Sequence, residues 1–147
     1  MISIILPTFN RSHILTSTIS NVMEQTFVEY ELIIINDASS DNTEKIIHTF
    51  QSQDKRIKYI KNEKNVGCAE SRKIGFEQSN GEIIVFLDDD DRWDKEKLMK
   101  QYSLLKHTNY DMVISDYYIE KDDEKKYQNM KQFGDDFKNK ILMGPGP

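Results

Sequence analysis

Four aspartates in a row, Asp88 to Asp91, follow the apolar run Ile83-Ile84-Val85-Phe86-Leu87 and precede Arg92-Trp93. Like charges this close repel one another, and the run ahead of them reads as a buried strand, so the placement demands a reason. A turn carrying Asp-x-Asp can aim two carboxylates at one point, and oxygen donors of that kind suit Mg²⁺ or Mn²⁺. Magnesium takes one or two protein carboxylates and fills its shell with water and substrate phosphates. The quartet therefore suits a metal–diphosphate complex. A solvated acidic loop is the plain alternative, but its position at the end of an apolar strand favours the metal.

Other chemistry-bearing residues are sparser. Asp37 ends the apolar run Glu31 to Ile35 plus Asn36, where it could accept a hydrogen bond from a base or a sugar hydroxyl, or simply cap a turn. Arg72 follows Asn65-Val66-Gly67, and a base, a phosphate or an ordinary surface ion pair would each suit it. Gly67 permits a tight turn or a close backbone approach, and a plain helix entry serves equally. Trp93 is expected to pack under the acidic turn, with stacking on a ligand as the lesser reading. His13, His48 and His107 share no spacing that would make a metal cluster or a catalytic pair, and Cys68 has no activating motif.

These residues need elements to hold them. Ile2 to Leu6 reads as a buried strand stopped by Pro7, and Ser12 opens a helix with Ile14, Leu15, Ile19, Val22 and Met23 on a 3.6-residue period. Glu31 to Ile35 is a second strand. Asp41, three residues before Glu44, signals the start of a helix carrying Ile46, Ile47 and Phe50. Ile57 to Ile60 alternates as a strand, a helix runs from Gly67 to about Asn80-Gly81, and Ile83 to Leu87 is the most apolar strand of all. Asp94 caps a fourth helix through Leu98, Tyr102 and Leu105. Met112 to Ile119 reads as a further strand, and a weak helix is expected near Asp135 to Met143.

Strands alternating with helices imply parallel βαβ units with helices on both faces. In such a sheet, ligands bind beyond the carboxyl ends of the strands. Those ends carry Pro7 to Arg11, Asn36 to Asp41 and Asp88 to Asp91, so the polar chemistry converges on one edge. The first turn, PTFNRS, has no glycine, which removes the support for a dinucleotide-binding dehydrogenase or a nucleotidyltransferase phosphate loop. A phosphatase using an aspartyl nucleophile would want Asp where Pro7-Thr8 stand.

The chain of 147 residues has the length of one domain, and its net charge of −5 argues against general nucleic-acid binding. One cysteine excludes an internal disulfide and fits a reducing compartment. The N-terminal apolar run is too short for a signal peptide or a membrane span, so a cytoplasmic location is expected.

Taken in order, ISIILPTFNR, ELIIINDASSDNT and NEKNVGCAESRKIGFEQSNGEIIVFLDDDDRW resemble the nucleotide-binding half of family 2 glycosyltransferases, over about residues 1–108. The resemblance implies an α/β fold of the GT-A type, a Rossmann-like αβα sandwich around a mainly parallel, mixed sheet. It makes residues 1–108 a donor-binding core and 109–147 the following strand and the start of the acceptor region, with most of the acceptor half lacking. It implies that Thr8 and Phe9 line the base pocket and that Asp37 and Arg72 contact the nucleotide. Asp88 and Asp90 would be the two acids of a DxD motif, with Asp90 on Mn²⁺ or Mg²⁺ and Asp88 or Asp89 near the ribose. Asp89 departs from the commoner D-S-D-D pattern, so its role stays open. The implied reaction is inverting transfer from a nucleotide-diphosphate sugar, commonly a UDP-sugar, to a saccharide or lipid-linked acceptor, which allows peripheral association with the inner face of the cell membrane. The general base of that reaction lies on the acceptor half, and Asp116, Asp122 and Asp123 do not match its position. A non-catalytic nucleotide-sugar-binding module is the alternative. Oligomeric state is left open.

Overall fold

The computed structural model describes residues 1–121 and 124–128. The chain divides into two compact units, Met1–Lys100 and Gln101–Pro147. In the first, β1 (Ile2–Thr8), α1 (Ser12–Met23), β2 (Tyr30–Asn36), α2 (Thr43–Gln53), β3 (Ile57–Lys61), α3 (Cys68–Glu77) and β4 (Ile83–Phe86) alternate strictly. The sheet has the order β3-β2-β1-β4 with every neighbouring pair parallel, the α/β arrangement the sequence pattern requires.

β1 and β2 lie in the middle, and all seven residues of each are buried because helices cover both faces. On one face Ile5, Ile33 and Ile35 pack together with Ile60 and Ile84. Helix α3 lies there, and Gly75 lets it approach: a Cβ at that position would come within 2.5 Å of Ile5 Cγ2 and 2.7 Å of Ile35 Cδ1. On the other face the Tyr30 hydroxyl donates to the Val22 carbonyl of α1, and the Tyr59 hydroxyl donates to Glu44 of α2. Leu15, Ile19, Val22 and Ile47 are buried between these layers. Each such side chain contributes about 1.5–3 kcal/mol by leaving water.

Several expectations need correction. The strand before the acidic quartet is not fully buried: among the described residues β4 lies at the edge of the sheet, its residues are partly covered, and Phe86 is 51% exposed. Hydrophobicity alone does not say which strand is central. Pro7 does not stop β1, which runs on to Thr8. The Ile5 carbonyl accepts from Leu87 N–H, so Pro7, two residues on, directs its nitrogen to the same side, past the end of β4, where no ladder bond is lost.

Helix α4 (Lys97–His107) begins three residues after Asp94, whose carbonyl accepts from Lys97 N–H while its carboxylate accepts from Glu96 N–H. In the second unit the strand expected over Met112 to Ile119 is displaced. β5 (Tyr117–Lys121) pairs antiparallel with β6 (Glu124–Gln128), while residues 112–116 have no regular structure. Local antiparallel pairing has won over the apolar run. The helix expected over Asp135 to Met143 lies outside the described residues, as do Asp122 and Asp123. Among the described residues, no helix is long and apolar enough to cross a membrane.

Candidate functional site

The carboxyl edge of the sheet gathers three loops: residues 9–11 after β1, 37–42 after β2, and the acidic turn after β4. The first two are stitched together. Asp37 N–H donates to the Thr8 carbonyl, Asn10 N–H to Ser39 Oγ, and Ser40 N–H to Asn10 Oδ1. Asn10 and Ala38 both hold positive φ, 54° and 61°, which turns the chain sharply after each strand. Asp41 accepts from Ser12 N–H at 3.0 Å and from Thr43 N–H at 3.0 Å, so one carboxylate serves the first turns of both α1 and α2. Burial would raise its carboxyl, but these bonds dominate and hold it far below the usual range.

Asp37 is buried, and its carboxylate is engaged within the protein. It accepts from Asn62 Nδ2 at 2.8 Å, Val66 N–H at 2.9 Å and Gly67 N–H at 2.9 Å. Burial pushes its carboxyl up, and the donors, Asn62 first, outweigh it and lower it. Asn62 also donates to Ser71 Oγ on α3. Asp37 thereby fixes the loop that leads into α3 through Gly67, whose φ of 86° suits glycine. Arg72, one turn into α3, forms an ion pair with Asp88, its guanidinium lies 5.8 Å from the centre of the Phe86 ring, and its Nε is buried without a partner.

The first three aspartates of the acidic turn alternate in exposure. Asp89 faces inward: Thr8 Oγ1 donates to Asp89 Oδ2 at 2.8 Å, Arg11 Nε lies 3.7 Å from Oδ1, and Thr18 Oγ1 donates to its carbonyl at 2.7 Å. Its side chain is 13% exposed against 50% for Asp88, and Asp90 is exposed too. Burial raises the Asp89 carboxyl, with the charges of Asp90 and Asp88 adding to it and Thr8 and Arg11 opposing. Asp91 is solvent-exposed as a residue, and partial desolvation of its carboxyl together with the charges of Asp88 and Asp90 raises it, with Lys97 opposing.

The sequence-derived set thus falls into two linked pairs, Thr8 with Asp89 and Arg72 with Asp88. Asp37 sits behind them as a loop anchor, Phe9 stands 44% exposed at the rim, and Asp90 lies in solvent. Missed by sequence reasoning were Arg11, Asn62 and Ser71, which carry no spacing signal. Also missed were Thr18, Asn21 and Gln25, whose polar i, i+3, i+7 stripe on α1 and its C-terminal extension was readable. Among the described residues, no group of three or more His, Cys, Asp or Glu side chains is placed to hold a metal alone. Two outward carboxylates on one turn fit a hard divalent cation that takes its remaining oxygens from water and a ligand.

The family model for "Glycosyl transferase family 2" matches residues 3–146. The Escherichia coli UDP-Glc:alpha-D-GlcNAc-diphosphoundecaprenol beta-1,3-glucosyltransferase WfgD is 37% identical over 119 residues, which cover 81% of this chain and 46% of WfgD. The Campylobacter jejuni GalNAc(5)-diNAcBac-PP-undecaprenol beta-1,3-glucosyltransferase is 40% identical over 91 residues, 61% of this chain and 29% of that one. The chain therefore spans less than half the length of these curated relatives. Among solved structures, S. aureus TarS 1–349 in complex with UDP has a TM-score of 0.68 and 28% identity, over 72% of this chain and 32% of TarS. The Pyrobaculum calidifontis mannosyltransferase PcManGT in complex with GDP-Man and Mn²⁺, at 21% identity and a TM-score of 0.67, shares the fold. With the parallel sheet and the ordered strand-end loops, these matches show that the chain belongs to glycosyl transferase family 2 and has the GT-A fold.

Proposed function

We propose that this chain is the donor-binding part of a glycosyltransferase that takes a nucleotide-diphosphate sugar, a UDP-sugar first, and transfers the sugar with inversion to an acceptor hydroxyl. The observation that carries the reading is the alternation at the end of β4: Asp89 turned in to Thr8, Asp88 and Asp90 turned out, and Arg72 beside Asp88. Asp90 and Asp88 would hold Mn²⁺ or Mg²⁺, which when bound supplies positive charge for the leaving diphosphate. Thr8, Phe9, Asp37, Arg72 and Asp89 would form the nucleotide side. In this reading Asp37 shapes the wall through the loop it anchors as well as by contact, and Arg72 leaves Asp88 for the nucleotide as the donor enters.

The acceptor is a saccharide on a lipid diphosphate, and the working position is the cytoplasmic face of the membrane, reached peripherally. The lipid-linked acceptor is supported by the acceptors named for WfgD and the Campylobacter enzyme, which are undecaprenol-linked. Residues beyond the donor core supply the general base that takes the acceptor proton.

Calorimetry of the chain with UDP, GDP and dTDP, each with and without Mn²⁺, tests the donor site. Mn²⁺-dependent binding of UDP is the expected result, and no binding of any nucleoside diphosphate would overturn it. Binding together with no transfer in the whole protein would leave a nucleotide-sugar-binding module instead.

A further inference from the structure

The acidic turn has little backbone structure of its own. Between β4 and α4 the chain closes two short turns, Asp91 N–H to the Asp88 carbonyl and Lys97 N–H to the Asp94 carbonyl. The backbone's remaining polar groups must still be satisfied, and groups on α1 and the residues just after it, mostly side chains, do this. Thr18 Oγ1 donates to the Asp89 carbonyl at 2.7 Å. Asn21 Nδ2 donates to the Trp93 carbonyl at 3.0 Å, and Asn21 Oδ1 accepts from Trp93 N–H at 2.7 Å. Gln25 Nε2 donates to the Asp94 carbonyl at 2.8 Å, and its Oε1 accepts from Leu98 N–H at 3.2 Å. Thr26 N–H donates to the Lys95 carbonyl at 2.9 Å.

Thr18, Asn21 and Gln25 are spaced i, i+3, i+7, so one stripe grips the turn at successive points along its length. Asn21 is the central grip. Its carboxamide exchanges two bonds with the N–H and the carbonyl of one residue, as a neighbouring strand would, and so fixes both the position and the orientation of Trp93. Residues 90–92, including Asp90, are held between that grip and the one on Asp89.

We infer that Asn21 is a positioning residue for the metal-facing turn: it touches neither metal nor nucleotide, but holds Asp88 and Asp90 in the spacing at which both can serve one divalent cation. This inference rests on the donor-site reading above. Groups that orient a metal site from behind its ligands change metal affinity by about 10- to 100-fold when removed.

The test uses the whole chain and its single tryptophan, Trp93, as a reporter on the turn. In Asn21→Ala, the Mn²⁺ concentration that half-saturates the UDP complex should rise about 10- to 100-fold. UDP binding in EDTA should be unchanged, and Trp93 fluorescence should become more accessible to acrylamide. Asn21→Asp keeps the shape and the acceptor for Trp93 N–H but loses the donor, and it should show the same split if the alanine variant folds poorly. Asn80→Ala, which removes an amide at the opposite end of the sheet, should leave the Mn²⁺ requirement unaltered.

Wild-type Mn²⁺ dependence in both Asn21 variants would overturn the inference, as would equal losses with and without Mn²⁺. If the wild-type chain itself shows no Mn²⁺-dependent UDP binding, the donor-site reading falls and takes this inference with it. The wild-type titration separates that failure from the other two.

Discussion

At the amino end of the sheet, buried Glu31 accepts from Ser3 Oγ and from Asn80 N–H, each at 2.6 Å, and pairs with Lys58 Nζ at 2.6 Å. At the carboxyl end, Asp89 has one close donor, Thr8 Oγ1 at 2.8 Å, a guanidinium at 3.7 Å, and three aspartates as neighbours. Burial raises both carboxyls. At Glu31 the donors outweigh it and bring the group to about 2, whereas at Asp89 they do not, and the group stays raised. The contrast separates two uses of a buried acid. Where the protein supplies enough donors, the carboxylate ties strands together. Where it supplies too few and adds like charges, the cluster is suited to a positive partner that comes from outside.

The sharpest way to break this contrast is at Asp90. Asp90→Asn should weaken Mn²⁺-dependent UDP binding by more than about 100-fold in calorimetry while the thermal midpoint hardly moves, because the side chain is solvent-exposed. Unchanged affinity would remove Asp90 from the metal.

Acid should act on the other end. Glu31 sits at about 2 in the fold against 4.5 for the free side chain, so its contribution is complete above pH 4.5 and is lost as pH falls to about 2. That contribution is on the order of 3 kcal/mol, and urea unfolding from pH 6 to 2 reads it. Glu31→Gln should flatten the acid limb and cost about 2 kcal/mol at neutral pH, with metal-dependent binding kept by the folded protein.

A smaller effect is expected for Arg72→Gln. Its ion pair with Asp88 is half-exposed, so stability should change by less than about 1 kcal/mol. UDP affinity should fall about tenfold, as for one lost charged hydrogen bond. Smallest is Ala38→Gly, which relieves a φ of 61° and should stabilise by up to about 1 kcal/mol in thermal melts.

Much of the fold was legible because the runs around Ile4, Ile33 and Ile60 are compact and alternate with helical periods. The convergence of Thr8, Asp37 and Asp88 on one edge followed from parallel topology alone. Their pairing did not. The inward turn of Asp89 depends on a contact with Thr8, 81 residues away, and the occupation of Asp37 depends on Asn62, 25 residues away. Nor did the apolar run at β4 disclose an edge strand, since both edge and central strands can be rich in Ile and Val. The run at Met112 read as a strand because propensity is local, while pairing is decided by the partner at hand.

By itself, then, the order of residues determined an α/β chain with alternating elements, an acidic turn at a strand end and the ordered motifs of a family, because hydrophobic periodicity and turn chemistry act over a few neighbours. Only the tertiary structure decided which aspartate faces the fold and which face solvent, that Glu31 is a clasp, and that α1 grips the turn after β4. Those outcomes rest on hydrogen bonds between segments far apart in sequence, and a bond of about 3 Å exists only once the sheet has brought its two ends together.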